Sequence, residues 1–133
     1  PKAKKKSISL HVDCPDSLEG KFNSLLMVRA LSNLIDNAIK YGPEHSQVNI
    51  SAFKEEGKVI LSVKDLGPGI DEKHHERLFE RFYSVDKARS KELGGSGIGL
   101  AIVKHIALAH GGQVKVESSP GMGSTFSLHL GQS

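Results

Sequence analysis

Between Leu31 and Tyr41 the chain reads LSNLIDNAIKY, and its polar members include Asn33, Asn37, Lys40 and Tyr41. Wound at about 100° per residue, a helix here collects Met27, Leu31, Leu34, Ile35 and Ala38 on one side. Asn33, Asn37 and Lys40 gather roughly a third of a turn away, with Tyr41 at the border. Two carboxamides and an ammonium suit a metal-bound polyphosphate. Asn37 can give Mg²⁺ one neutral carbonyl oxygen while phosphates and water complete the octahedron; Asn33 can ligate or orient a coordinated water. Lys40 can offset phosphate charge, and Tyr41 can lay its ring against a base. Taken alone, the stretch reads equally as an amphipathic helix with a solvated polar side.

Two glycine segments downstream give it weight. In the first, Asp65-Leu66-Gly67-Pro68-Gly69-Ile70, an aspartate closes a strand pattern. Held at a strand end, its carboxylate can accept from an exocyclic amine such as the N6 group of adenine, worth about 1.5–3 kcal/mol. Guanine places a carbonyl at that position and would be refused. Gly67 and Gly69 let the backbone approach the base closely, although a tight turn after a strand has the same composition. The second segment, Gly94-Gly95-Ser96-Gly97-Ile98-Gly99, can turn backbone N–H groups toward an anion, aided by the N-terminal partial charge of the helix that follows. It follows a long polar loop rather than a first βα turn, so a dinucleotide-binding Rossmann unit fits poorly. No Gly-Lys-Ser/Thr follows, so it is not a P-loop.

These residues need a frame. Lys6–Asp13 alternates as a strand and is stopped by Pro15; a helix runs from Asn23 or Ser24 to Tyr41 and closes at Gly42 and Pro43. Gln47–Lys54 and Lys58–Asp65 read as a hairpin. His74–Phe82 reads as a short helix with Leu78, Phe79 and Phe82 as its apolar contacts, and Ser84–Gly95 as a long loop. A second helix over Gly99–His110 presents Leu100, Val103, Ile106 and Ala107 on one side; strands Gln113–Ser118 and Ser124–Leu130 end the chain. The order predicts an α/β (α+β) two-layer sandwich, a mixed β-sheet with helices on one face.

The composition excludes several alternatives. The 133 residues include 25% charged residues, ordinary for one folded domain. The single cysteine, Cys14, cannot form an internal disulfide, and no apolar run nears 18 residues. Net charge is +3, with Lys2, Lys4, Lys5 and Lys6 as the densest basic run. Without interleaved aromatics along a groove, that run reads as a solvated linker end rather than a nucleic-acid arm. Residues 1–6 are therefore expected to be the end of a linker and 7–133 a single domain, with neither nucleic acid nor direct membrane contact among its partners.

Together, NLIDNAIKY, DLGPGI, LFERFYSVD (Leu78 to Asp86) and GGSGIGLAIVK (Gly94 to Lys104) resemble the N, first glycine, F and second glycine boxes of the catalytic and ATP-binding domain of bacterial sensor histidine kinases. That domain has the Bergerat fold, of the class that includes DNA gyrase, the ninety-kilodalton heat-shock chaperones and MutL. The resemblance implies ATP and Mg²⁺ as ligands, Asn37 on the metal with Asn33 nearby, and Lys40 on phosphate. It implies Asp65 on the adenine amine with Tyr41 against the base, and Gly67, Gly69 and Ile70 lining the purine. Gly95, Ser96, Gly97, Ile98, Gly99 and Leu100 would cover the phosphates, and Tyr83 would open an ATP lid reaching to about Gly95. GMGSTF (Gly121 to Phe126) is similar to the family's last glycine segment, where a threonine supports adenine recognition; Thr125 matches it.

One departure is Ser84, where the family commonly carries an arginine on the terminal phosphate; Arg81, Lys87, Arg89 or the partner domain are the candidates to replace it. None of the seven histidines has the surroundings of the family's phosphoacceptor. The implied activity is therefore protein-histidine kinase in two-component signal transduction, exerted on a helical dimerisation and phosphoacceptor domain of the same kinase. A response regulator is the indirect partner and the cytoplasm the compartment. The abrupt start looks like a piece cut from a longer kinase. A chaperone-type ATPase would place a glutamate where Asn33 stands, and an amide is a poor general base.

Overall fold

A computed structural model describes residues 8–13, 24–83 and 98–130. Five strands form one sheet in the order β1-β2-β3-β5-β4: β1 (Ser9–Asp13), β2 (Gln47–Glu55), β3 (Lys58–Asp65), β4 (Gln113–Ser118) and β5 (Ser124–Leu130). β1 runs parallel to β2 and every other pair is antiparallel, so the sheet is mixed as expected. The β2–β3 link is tighter than the sequence pattern implies. Strand pairing continues through Glu55, leaving only Glu56 (φ 52°) and Gly57 (φ 78°) as a two-residue turn, whose left-handed pair matches strand twist.

Two helices cover the sheet. α1 (Ser24–Tyr41) lies over β3 and β2, and α2 (Gly99–Ala109) over β4 and β5; the two also pack on each other. α1 buries Met27, Ala30, Leu34 and Ala38, close to the apolar side read from the sequence, while α2 buries Val103, Ile106 and Ala107. They meet Val48, Val63, Phe126, Leu128 and Leu130 of the sheet. Along β5 burial alternates strictly, so Ser124, Phe126, Leu128 and Leu130 face the helices and Thr125, Ser127 and His129 face away. The architecture is the two-layer sandwich with helices against one face of a mixed sheet. The expected domain boundary at residue 6 and the beginning of the first strand pattern, from Lys6, fall outside the described residues.

The segment expected as a helix over His74–Phe82 differs. A 3₁₀ helix spans Glu72–Arg77 instead. Asp71 sets its start by accepting the Lys73 N–H at 3.0 Å, two residues earlier than the apolar pattern suggested. Of the three apolar contacts expected there, Leu78 is buried and Phe79 meets Phe126 edge to face at 6.1 Å. Phe82 is 66% exposed with φ 65°, so the backbone has left helical geometry by that point and turned its ring outward. Leu34→Ala is expected to lower unfolding free energy by about 2–5 kcal/mol. Phe82→Ala is expected to change it by less than about 1 kcal/mol. Chemical denaturation of both variants measures the contrast.

Candidate functional site

Asp65 ends β3 on the helix-covered face with only 5% of its surface exposed. Its Oδ1 accepts the Gly67 N–H at 2.8 Å, and the Ser124 backbone N–H also serves the carboxylate. Burial raises its pKa above the ordinary 3.8, and the Gly67 and Ser124 backbone hydrogen bonds pull the other way. A carboxylate has about four acceptor positions, so these two donors leave part of it unspent.

The surroundings of Gly67 are crowded. A Cβ there would lie 2.9 Å from Asp65 Oδ1 and 3.0 Å from the Tyr41 carbonyl oxygen. The turn after β3 is thus seated against the C-terminus of α1, bringing Asp65, Gly67 and Tyr41 together. The same turn is fastened to the β4–β5 link. The Gly121 N–H donates to the Pro68 carbonyl at 2.7 Å, and the Ile70 N–H donates to Ser118 Oγ at 2.7 Å. Gly69, at φ 78°, passes so close to Ser119 that a Cβ would stand 1.9 Å from its carbonyl oxygen.

Farther up α1, Asn33 Nδ2 donates to the Gly99 carbonyl at 3.3 Å, tying the polar side of the helix to the start of α2. Asn37, one turn on, is half-buried, and its carboxamide makes no hydrogen bond among the described residues. Lys40 Nζ lies 5.2 Å from the centre of the Tyr41 ring. α2 opens at Ile98 without a side-chain cap and without an acidic residue in its first turn. Leu100 packs against the core. Among the described residues no group of three His, Cys, Asp or Glu side chains could hold a metal. A neutral amide oxygen completed by phosphate oxygens is the arrangement the donor set fits.

Two expected members have other neighbours in the structure. Thr125 pairs with Lys64 on the outer face of the sheet, because strand alternation turns it away from Asp65. The residue in register with Asp65 is Ser124, 6% exposed, whose hydroxyl faces the core side. Counting alternation back from Phe126, an evident core residue, places Ser124 on the core side and Thr125 on the other. Tyr83 is engaged locally: its hydroxyl bonds His74 Nδ1, and the Arg77 guanidinium lies 4.4 Å over its ring while also pairing with Glu80. Of the arginine stand-ins, Arg81 lies 5.4 Å over the Phe82 ring. Lys87 and Arg89 fall outside the described residues, as do Ser84, Gly95, Ser96 and Gly97.

Ionising Asp65 inside the fold is unfavourable, so folded protein holds its proton to higher pH than the unfolded chain does. Stability is unaffected by this group below about 3.8, the ordinary value, and is lost as pH rises from there through the raised folded value. Asp65→Asn does not titrate. Its melting temperature relative to wild type is therefore expected to rise between strongly acid and neutral pH, which a pH series of thermal melts checks.

Comparison with known proteins covers nearly the same stretch. A sequence model of the family described as "Histidine kinase-, DNA gyrase B-, and HSP90-like ATPase" matches residues 23–133. The chain is 46% identical over 123 residues to the sensor-like histidine kinase SenX3 of Mycolicibacterium smegmatis, covering 92% of this chain and 32% of that protein. It is 42% identical over 121 residues to the phosphate regulon sensor protein PhoR of Pseudomonas aeruginosa, covering 91% and 27%. Among solved structures, the mycobacterial sensor histidine kinase MprB aligns with a TM-score of 0.83 at 30% identity, over 99% of this chain and 90% of that one. Full-length ShkA in complex with AMPPNP aligns with a TM-score of 0.82 at 31% identity, over 98% and 27%. The chain spans about a third or less of the length of these curated relatives.

Proposed function

The chain belongs to the histidine kinase-, DNA gyrase B- and HSP90-like ATPase family, as an ATP-binding domain of the sensor histidine kinase type, and we propose that it binds Mg·ATP and donates the γ-phosphoryl group to a histidine on a separate helical dimerisation and phosphoacceptor domain. The observation that carries this reading is Asp65, a nearly buried carboxylate with unspent acceptor capacity, walled by the glycine turn and the end of α1. In this reading Asp65 accepts from the 6-amino group of the purine, Tyr41 packs on the base, and Ser124 replaces Thr125 as the hydroxyl beside it.

Asn37 would give the magnesium ion an oxygen, Asn33 would stand next to it, and Lys40 would meet phosphate. The ion's contribution when bound is to neutralise polyphosphate charge. Backbone N–H groups at the start of α2 would face the phosphates, joined by Gly95, Ser96 and Gly97. In the transfer itself, a histidine nitrogen forms a P–N bond as the bond from γ-phosphorus to the β-phosphate bridging oxygen breaks. The domain's task is alignment and charge compensation, the main contributions available to phosphoryl transfer. Such a domain acts only with its phosphoacceptor partner, ahead of a response regulator, on the cytoplasmic side.

A second reading, a nucleotide-binding regulatory module without transfer, is favoured by one observation: Ser84 stands at the position of the family's phosphate-facing arginine, while Arg77 is held by Tyr83 and Glu80. Adding the helical domain and γ-labelled ATP separates the two, since acid-labile phosphate on histidine is expected from the first and none from the second. For the site itself, Asp65→Asn is expected to weaken ATP binding at least about tenfold, from the loss of a charged acceptor. Its circular dichroism should stay that of the folded domain. Unchanged affinity by calorimetry would remove Asp65 from the site.

A further inference from the structure

Ser118, at the end of β4, joins three segments around the purine end with one hydroxyl. It accepts the Ile70 N–H at 2.7 Å, donates to the Gly123 carbonyl at 2.8 Å, and lies 2.8 Å from the Ser124 hydroxyl. A serine hydroxyl has a single proton. The Gly123 carbonyl can only accept, so that contact takes the Ser118 proton. The Ser124 hydroxyl must then be the donor across the serine pair. Its oxygen is left with lone pairs alone, on the strand next to β3 and in register with Asp65. Both residues are nearly buried, at 6% and 5% exposure, so bulk water does not blur the distinction between donor and acceptor.

We propose that Ser118 is a specificity-determining positioning residue: by taking the Ser124 proton it keeps the wall beside Asp65 acceptor-only, so the site takes a 6-amino purine and turns away a 6-oxo purine. The inference rests on the reading of Asp65 as the purine contact and adds a second device to it. A 6-amino group, or a water it holds, brings protons to both acceptors. A 6-oxo group brings lone pairs to lone pairs and leaves a buried acceptor unmatched, which is what makes polar sites selective. A Ser124 hydroxyl released from Ser118 could rotate, offer its proton to a 6-oxo purine and forfeit that selectivity.

Calorimetry of the 133-residue chain with ATP and with inosine triphosphate tests this, in wild type, Ser118→Ala, Ser118→Thr and Ser124→Ala. Wild type is expected to favour ATP. Ser118→Ala and Ser124→Ala are each expected to narrow the ATP-to-ITP affinity ratio about fivefold to tenfold, the worth of one oriented hydrogen bond. Ser118→Thr restores the hydroxyl and should keep the ratio, and Ser118→Ala should narrow it no further in a Ser124→Ala background. A merely structural Ser118 would weaken both nucleotides in parallel; that result, or an unchanged ratio in Ser124→Ala, overturns the proposal. Should Ser118→Ala fail to fold, the Ser124→Ala ratio decides alone. If wild type shows no preference, or Asp65→Asn keeps the full preference, the purine reading at Asp65 is what has failed, and this inference falls with it.

Discussion

Burying the Asp65 carboxylate commits the backbone on both sides of it. A charge removed from water must be met by donors, and here the nearest are the N–H groups of Gly67 and Ser124. For the first to reach, the chain must fold back sharply within two residues, which crowds any side chain at Gly67 against Asp65 and the Tyr41 carbonyl. For the second, β5 must come close to the end of β3. A Cβ on Gly123 would stand 2.3 Å from the Asp65 carbonyl oxygen, so glycine is required there. The glycines at the two ends of the site therefore answer to one buried acid rather than to chain flexibility in general.

α1 then acts as the spine that relates the Asp65 turn to the start of α2. Its C-terminus holds the glycine turn through contact with Tyr41, and its middle holds the start of α2 through Asn33 and Gly99. Asn37 and Lys40 lie on the helix between these two anchors. The 3₁₀ segment adds a separate support: Phe79 wedges against Phe126, while His74, Arg77 and Tyr83 interlock on the outside. The chain reaches Tyr83 from a fixed platform.

The long periodic elements were legible because their burial is one-sided. α1, α2 and the four antiparallel strands follow patterns in which a single missed residue would put an apolar side chain in water. The place of Asp65 follows from the same alternation, which puts it on the inward side of β3 with Val59 and Val63. What failed was local. The start of the 3₁₀ helix was decided by a cap from Asp71, which competes with apolar periodicity and won. Thr125 was named by likeness of motif, and strand parity from Phe126 puts its hydroxyl and that of Ser124 on opposite faces of the sheet. The engagement of Tyr83 by His74 and Arg77 depends on a left-handed turn at Phe82 that nothing in the sequence announces.

The sheet order carries a kinetic corollary. Asp65 and Ser124 become neighbours only when the last hairpin closes onto β3, bypassing β4 in chain order. This is a pairing of high sequence separation, of the kind that slows folding because chain entropy is surrendered before the contact rewards it. During synthesis the Asp65 carboxylate therefore lacks its Ser124 donor until the last strand has emerged. Satisfaction of this one buried acid thus reports that the sheet, through its β3–β5 pairing, has reached its native topology.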